Sequence, residues 1–347
     1  MTPGETRTVQ AHSVVIKVES GTSTLRAAGR RLLVSLLVAS IFLNFMFLVS
    51  SAMSVDTDSQ RVQQKHHSGS RLASEKLAIV SFSGTIMPPY TEQWLEQLEA
   101  AAEDDDIKGV LLAVDSPGGL VADSHQLYHE IKKLSEKKPV YVAMKRLAAS
   151  GGYYLSMGIG EGGQIFVEPT TWTGSIGVII PRYNASELAE KVGVEVDPLT
   201  TGPLKDSLNP FRDLSERERE VWAAIMKDSF DRFVNVIAEN RANLSEDDVR
   251  ELATGQIYTA DQSLQNGLAD QMGFEEEALT ALASAAGVTD YEVVEYSSPV
   301  TFLDLLVGSA SAKQQPTLAE SLLDAAIPKA MYYCSWNPWV PGTSGHR

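Results

Sequence analysis

Apolar residues along this chain fall into short unbroken runs separated by longer amphipathic stretches. Residues 77–82, 109–115, 139–144, 164–167 and 194–199 are predicted strands, and runs apolar at successive positions suit strands covered on both faces. Between them, 91–103, 123–136, 150–157 and 184–191 are predicted helices. Strand and helix in alternation predict an α/β core with mostly parallel strands. A long helix is predicted over 215–240. Glu216, Glu218 and Glu220 stand at its start, where the helix dipole favours acids, and Val221, Ile225, Phe230, Phe233, Val236 and Ile237 form its apolar stripe. The stripe is expected to pack against the core or against a neighbouring subunit.

Ahead of this core lies a run of another kind. Residues 32–52 are apolar apart from Ser35, Ser40, Asn44, Ser50 and Ser51, long enough for a helix to span a hydrocarbon layer of ~30 Å. Arg26, Arg30 and Arg31 precede the run, and no Lys or Arg follows until Arg61. The positive-inside rule then keeps the N-terminus in the cytoplasm and places the rest on the far side of the cytoplasmic membrane. The rival reading is a cleaved secretory signal with Ser50-Ser51-Ala52 at the cleavage site, but the run is longer than a signal core.

The expected organisation is a cytoplasmic segment (1–31), a transmembrane helix (32–53) and a polar linker (54–75) containing Gln63-Gln64-Lys65-His66-His67. A main domain (76–307) and a mobile tail (308–347) follow. The tail holds an aromatic stretch from Met331 to Trp339, suited to docking in a partner's groove or the chain's own cleft, or to no role at all.

Composition narrows the function. With 347 residues, 44% of them hydrophobic, the chain has ample material for a core. Its net charge of −16 argues against nucleic acid as a partner and against a broad basic membrane-binding face. A single cysteine, Cys334, excludes an internal disulfide. His125 and His129 are spaced to share a helix face but lack a third ligand, and no Walker loop or dinucleotide fingerprint is present. Neither a metal nor a cofactor is expected.

The candidate chemistry centres on Ala149-Ser150-Gly151-Gly152-Tyr153-Tyr154. A serine where a strand turns into a helix exposes its hydroxyl beside free backbone N–H groups, which is one way to build a nucleophile and an oxyanion hole. The bland alternative is a glycine-rich helix start used for tight packing. Asp115-Ser116-Pro117-Gly118-Gly119 follows another apolar run, and its glycines let a substrate carbonyl approach the backbone. The N–H of Gly118 or Gly119, with that of Gly151, is a candidate oxyanion hole; a plain Pro-Gly turn is the commoner use of such residues. Ser116 is a rival nucleophile, but Pro117 after it marks a turn residue.

Ser150 needs a base. No histidine lies between it and His346. A lysine held neutral by desolvation can serve instead. Of Lys191, Lys205, Lys227, Lys313 and Lys329, Lys191 and Lys227 sit in charge-rich helical patterns, and Lys313 and Lys329 in the weakly patterned tail. Lys205, in the breaker-rich loop Thr200-Thr201-Gly202-Pro203-Leu204-Lys205-Asp206, is the best candidate, although an ordinary loop lysine is the bland reading.

These blocks continue with Thr173-Gly174-Ser175-Ile176-Gly177-Val178, residues 202–210, Gly255-Gln256-Ile257-Tyr258-Thr259-Ala260 and Gly267-Leu268-Ala269-Asp270. Residues 77–300 thereby resemble the signal peptide peptidase A family of membrane serine proteases, in a short form without an internal repeat. The resemblance implies a Ser-Lys dyad of Ser150 and Lys205, with Ser175 orienting the lysine; Pro203 departs from the pattern. It also implies a Clp-protease/crotonase-like spiral of strand–helix units and a ring- or dome-like homo-oligomer in which the dyad residues can come from neighbouring subunits. Signal peptides would be the substrates. The competing readings are a peptidase for particular membrane proteins, a crotonase-like acyl-CoA enzyme, and a non-catalytic scaffold. The anchor and the lack of a nucleotide-contacting motif weigh against the acyl-CoA enzyme, and intact Ser150 and Lys205 against the scaffold.

Overall fold

The alternating pattern folds into a nine-stranded sheet flanked by helices, with a second sheet of two strands. The computed structural model describes residues 22–53, 62–297 and 330–334, with side chains in the first segment described over 30–47. Contacts divide the chain into residues 1–60 and 61–347. In the first unit, α1 (Thr22–Met53) contains a span, Arg30–Phe47, long and apolar enough to cross a membrane, and its described side chains are exposed.

The second unit begins with β1 (Gln63–Gly69), β2 (Glu75–Ser83), α2 (Tyr90–Glu103), β3 (Ile107–Ser116), β4 (Gly118–Leu120), α3 (Val121–Ser135) and β5 (Val140–Ala149). It continues through α4 (Gly151–Ser156), β6 (Ile165–Val167), β7 (Trp172–Gly174), α5 (Ser186–Val192), α6 (Glu216–Asn240) and α7 (Glu246–Leu252). The remainder is β8 (Ile257–Thr259), α8 (Ala260–Gln265), β9 (Gln271–Met272), α9 (Glu275–Ala286), β10 (Tyr291–Ser297) and β11 (Met331–Tyr333). The main sheet runs β1-β10-β2-β3-β5-β6-β9, parallel except for β1 against β10; β7 pairs with the end of β5 in parallel and with β8 antiparallel.

The central strands are apolar at nearly every position because each face meets a different layer. Val80, Phe82, Leu112, Val114, Val142 and Met144 face a core shared with α2, α3, α4 and α6. Their neighbours Leu77, Ile79, Leu111, Tyr141 and Ala143 face the opposite way, onto Ala278, Leu279 and Leu282 of α9. The helix predicted at 215–240 is α6. Ser215 and Glu218 form a reciprocal capping box at its start. Phe233, Val236 and Ile237 are buried as expected, whereas Val221 and Ile225 are exposed.

Three expectations are corrected. Residues 194–199 form no strand: they pair with none of the described strands and are exposed, since an apolar run becomes a strand only where a ladder partner exists. Part of the expected 54–75 linker is β1, whose polar residues suit an exposed sheet edge better than a spacer. Within the tail expected to be mobile, Met331–Tyr333 is a strand paired to β4. Residues 1–21, 54–61, 298–329 and 335–347, with the start of the expected linker, Lys313, Lys329 and His346, lie outside the described residues.

Leu112 is buried at the centre of the larger core. Leu112→Ala is expected to cost about 2–5 kcal/mol, measured as a lower denaturant midpoint at unchanged slope. A change within about 0.5 kcal/mol, the usual range for surface sites, would contradict this placement.

Candidate active site

β5 outlasts its predicted length and changes partners on the way. Its first half pairs with β6; its second half pairs with β7, matching Leu147 to Trp172, Ala148 to Thr173 and Ala149 to Gly174. The extension brings Ser150 beside the Gly174-Ser175 turn. Ser150 donates its N–H to the Gly174 carbonyl at 2.7 Å, and its own carbonyl accepts from Tyr154 N–H at 2.8 Å in the first turn of α4.

Ser150 has φ 54° and ψ −112°, a conformation that a residue with a side chain adopts only when its surroundings impose it. Its Oγ is fully buried and has no hydrogen-bond partner among the described residues. A strained serine between a strand and a helix N-terminus is the elbow geometry expected from the sequence.

Two tyrosines after the glycine pair anchor the elbow. Tyr153 donates to the Leu268 carbonyl at 2.8 Å. The neighbouring Asp270 is held by Arg241 at 2.7 and 3.0 Å and accepts the Ile165 N–H at 2.8 Å. The Gly267–Asp270 block therefore works as a brace behind α4. Tyr154 packs on Phe233 and hydrogen-bonds His125 Nδ1 at 2.7 Å. Burial pushes the Tyr154 phenol up and His125 down, with Arg232 and His129 lowering His125 further.

The glycine loop meets the elbow backbone to backbone. Gly118 has φ +94°, and a Cβ there would strike the Tyr332 carbonyl and stand 2.6 Å from the Gly151 nitrogen. A Cβ on Gly151 would lie 3.1 Å from both the Gly118 Cα and the Gly119 nitrogen. Gly118 N–H is donated to Ser116 Oγ at 3.1 Å; Ser116, expected in a turn, is the buried last residue of β3. Gly151 is in the first turn of α4, where N–H groups have no intrahelical acceptor. Asp115 ties the loop to β5 by accepting from Arg146 Nε at 2.8 Å and Leu147 N–H at 3.3 Å.

Ser175 follows β7 with φ 49° and donates its N–H to the Gln256 carbonyl at 2.7 Å. Residues 255–260 thus brace the Ser175 turn through β8. A cavity of ≈ 470 Å³ opens here, with Ser175, Gly177, Gln256, Tyr333 and Cys334 in its wall. Burial raises the Cys334 thiol, and a hydrogen bond with Ser175 partly offsets that rise.

The structure therefore gathers Ser150, Gly118, Gly119, Gly151 and the Ser175 turn. Lys205 is not among them. It is exposed on a turn within the 194–213 loop, and no hydrogen bond or ion pair is recorded for its side chain among the described residues. Other lysines do not replace it. Lys191 and Lys227 are solvated and pair with Glu187 and Asp231, and Lys145 is held charged between Glu168 and Glu275.

The loop bearing Lys205 has its own clamp, which sequence reasoning missed. Arg212 reaches Glu218 at 2.6 and 2.9 Å and Asp206 Oδ2 at 3.0 Å. Trp222 Nε1 donates to Ser207 at 2.6 Å. The Arg212 hydrogen bonds, aided by Ser215, lower the buried Glu218 carboxyl to about 2. Around the clamp, Tyr183, Leu188, Val192, Val194 and Leu199 leave large apolar side chains exposed.

Comparison with known proteins decides the lineage. The Peptidase family S49 model matches residues 132–289, and the Clp protease model matches residues 61–173. A candidate signal peptide peptidase SppA of Enterococcus faecium is 41% identical over 254 residues, 70% of this chain and 73% of that protein. A candidate protease of Synechocystis is 35% identical over 265 residues, 76% and 92% of the two chains.

The chain belongs to peptidase family S49, the signal peptide peptidase A family. It is a serine protease, and its sheet and flanking helices form the Clp-protease-like fold of that family. The chloroplastic serine protease SPPA of Arabidopsis thaliana is 32% identical over 226 residues, 64% of this chain and 33% of that one. A ClpP1 mutant of Listeria monocytogenes superposes with a TM-score of 0.40 at 16% identity, covering 58% of this S49 chain and 94% of its own.

Two outcomes test the geometry of this S49 site. Gly118→Ala, forced into a positive φ and a backbone collision, is expected to lower peptide hydrolysis at least about tenfold while the far-ultraviolet circular dichroism stays unchanged; full activity would contradict the close approach. The Glu218 carboxyl is depressed in the folded chain. Its stabilisation is therefore complete above the ordinary carboxyl value of 4.5 and fades as pH falls toward about 2. Glu218→Gln should flatten the dependence of the urea midpoint on pH across that window, and an unchanged slope would count against the clamp.

Proposed function

We propose that this protease is a membrane-tethered endopeptidase that uses Ser150 as nucleophile and Lys205 of a neighbouring copy as general base. One observation carries the reading: Ser150 is strained and buried, its Oγ without a hydrogen-bond partner among the described residues, at the meeting point of the glycine loop and the Ser175 turn, while Lys205 stands exposed on a loop rich in uncovered apolar side chains. Docking that loop on another copy would cover the apolar surface and take Lys205 out of water, which disfavours the ammonium form. Ser175 would orient the amine.

In the proposed reaction Ser150 Oγ attacks the peptide carbonyl carbon and its proton passes to the neutral Lys205 amine. The oxyanion is held by N–H groups of Gly118 or Gly119 with Gly151. Collapse of the tetrahedral species releases the amine, which takes the proton from Lys205 and leaves Ser150 acylated. Water, deprotonated by the same lysine, then hydrolyses the ester. Signal peptides are the proposed substrates, supported by the name of the Enterococcus relative and by the apolar α1 span. Arg26, Arg30 and Arg31 favour an N-terminus in the cytoplasm and a protease unit beyond the cytoplasmic membrane.

Ser150→Ala is expected to abolish hydrolysis and labelling by a serine-reactive fluorophosphonate without unfolding the chain. Lys205→Ala and Lys205→Arg should both be inactive, because arginine stays protonated, and wild-type turnover should rise with pH as a base-catalysed step requires. Co-expressed Ser150→Ala and Lys205→Ala chains should recover part of the activity if the dyad is shared; verified mixed oligomers with none would place each dyad in one chain. Externally added protease should digest the main unit in spheroplasts and spare a tag at residue 1, and the reverse pattern would invert the orientation.

A further inference from the structure

One histidine stands directly behind the elbow, and the proposed reaction makes no use of it. His125 is on α3, half-buried, with its ring stacked on Tyr128 at 5.8 Å between centroids. Tyr128 is itself held by Asn240, whose Nδ2 donates to the phenol oxygen at 3.2 Å, and by Lys132 over its ring. His125 Nδ1 lies 2.7 Å from the Tyr154 hydroxyl. Tyr154 in turn donates its backbone N–H to the Ser150 carbonyl at 2.8 Å. The imidazole is therefore one residue away from the strained serine. It also forms part of the wall of a ≈ 380 Å³ cleft between α3 and α6.

The sense of the His125–Tyr154 bond depends on a proton. Burial keeps the Tyr154 phenol protonated, so its O–H is a donor. Neutral His125 has a lone pair at Nδ1 and accepts it. An imidazolium carries hydrogens on both nitrogens, so its Nδ1 faces the phenol as a second donor. Tyr154 must then turn its O–H elsewhere, and no second acceptor for it is recorded among the described residues.

The surroundings set when that proton arrives. Burial is the largest influence and disfavours the imidazolium, and Arg232 of α6 and His129 of α3 oppose it as like charges. Lys132 is a further cation on α3. Asp228, Asp231 and Glu239 of α6 share the cleft wall, and acids favour the charged ring. Asp231 is already paired with Lys227 and Arg250. The phenols of Tyr154 and, from β11, Tyr332 are kept neutral by burial. The sum holds His125 below the ordinary value of 6.5.

We propose that neutral His125 is a positioning residue of the protease, holding Tyr154 and through it the Ser150–Gly151 turn, and that its protonation loosens this turn and slows hydrolysis in mild acid. The inference rests on Ser150 as the nucleophile. The turn carries both that nucleophile and a proposed oxyanion donor, whose contacts are fully made only in the transition state. Loss of its placement therefore acts on kcat more than on KM.

The test assays the full chain in detergent with a fluorogenic peptide across mild acid and neutral pH. His125→Leu, which has no acceptor, should lower kcat near neutrality at least about fivefold with KM changed by less than about twofold. His125→Asn should restore most of the loss, because its Oδ1 replaces Nδ1 as acceptor and does not titrate. The ratio of wild-type kcat to that of His125→Asn should be flat above 6.5 and fall at least about fivefold through mild acid. In a Tyr154→Phe background, where no hydroxyl remains, the same ratio should stay flat. Full kcat in His125→Leu, a flat ratio with Tyr154 intact, or a fall that persists in Tyr154→Phe overturns the proposal.

A second readout needs no turnover. In the Ser150→Ala chain, a folded-state value below 6.5 means that the contribution of His125 to stability is complete above 6.5 and is lost as pH falls below it. The urea midpoint should show that loss, and His125→Asn should remove it; identical profiles overturn the role of the imidazole. Failure of the Ser150 reading shows separately, as peptide hydrolysis by Ser150→Ala itself.

Discussion

The site depends on one backbone hydrogen bond held under strain. Ser150 N–H to the Gly174 carbonyl, at 2.7 Å, pins the residue that follows a long strand to the turn that carries Ser175. With φ at 54°, Ser150 would relax toward ordinary backbone if released. The structure prevents this from several directions: Tyr153 is tied to Leu268, Tyr154 is packed on Phe233, and Gly118 and Gly119 lie against Gly151 with no room for a side chain. The braces come from β8, α6 and the Gly267–Asp270 turn, which explains why the short motifs are scattered along the chain. Each one supports the same elbow from a different side.

The elbow was legible in the sequence because its cause is local. An apolar run followed by Ser-Gly-Gly and two tyrosines describes a strand, a tight turn and a buried helix without reference to the rest of the chain. The central strands were legible for the same reason, being apolar on both faces. What escaped depends on pairing. Residues 194–199 carry strand-like residues but have no neighbour to bond, whereas Gln63–Gly69 is polar and becomes a strand because the β10 edge is there to receive it. The aromatic cluster around Tyr332 was visible as composition, and its docking in the chain's own cleft was one of the possibilities it left open. Only the fold shows that Gly118–Leu120 and Ile179 leave a gap one strand wide. Nor does spacing reveal the Arg212 clamp, since Asp206 and Glu218 become neighbours through a loop without regular structure.

The two halves of the proposed dyad are built by different means. Ser150 is fixed by the core and has almost no freedom. Lys205 sits in a loop without strand or helix, shaped by the Arg212, Asp206 and Glu218 ion pairs and by Trp222 on Ser207. Ion pairs with good geometry can hold a loop in register where no hydrophobic core is available to do it. The loop therefore keeps a defined shape while its apolar residues remain uncovered, a combination suited to meeting a partner without first having to fold.

The sheet's outer strands bear on how copies would meet in the proposed assembly. β1 shields the long β10 edge with a polar, lysine-bearing strand whose register slips between His66 and Ser68, and the opposite end is closed by β9, only two residues long. Irregular, charged or very short edges make poor templates for adding another strand. Crowded chains are thus denied the open ladder along which sheets zip together into aggregates, and contact between them is channelled to surfaces where side chains, rather than bare backbone, set the terms of recognition.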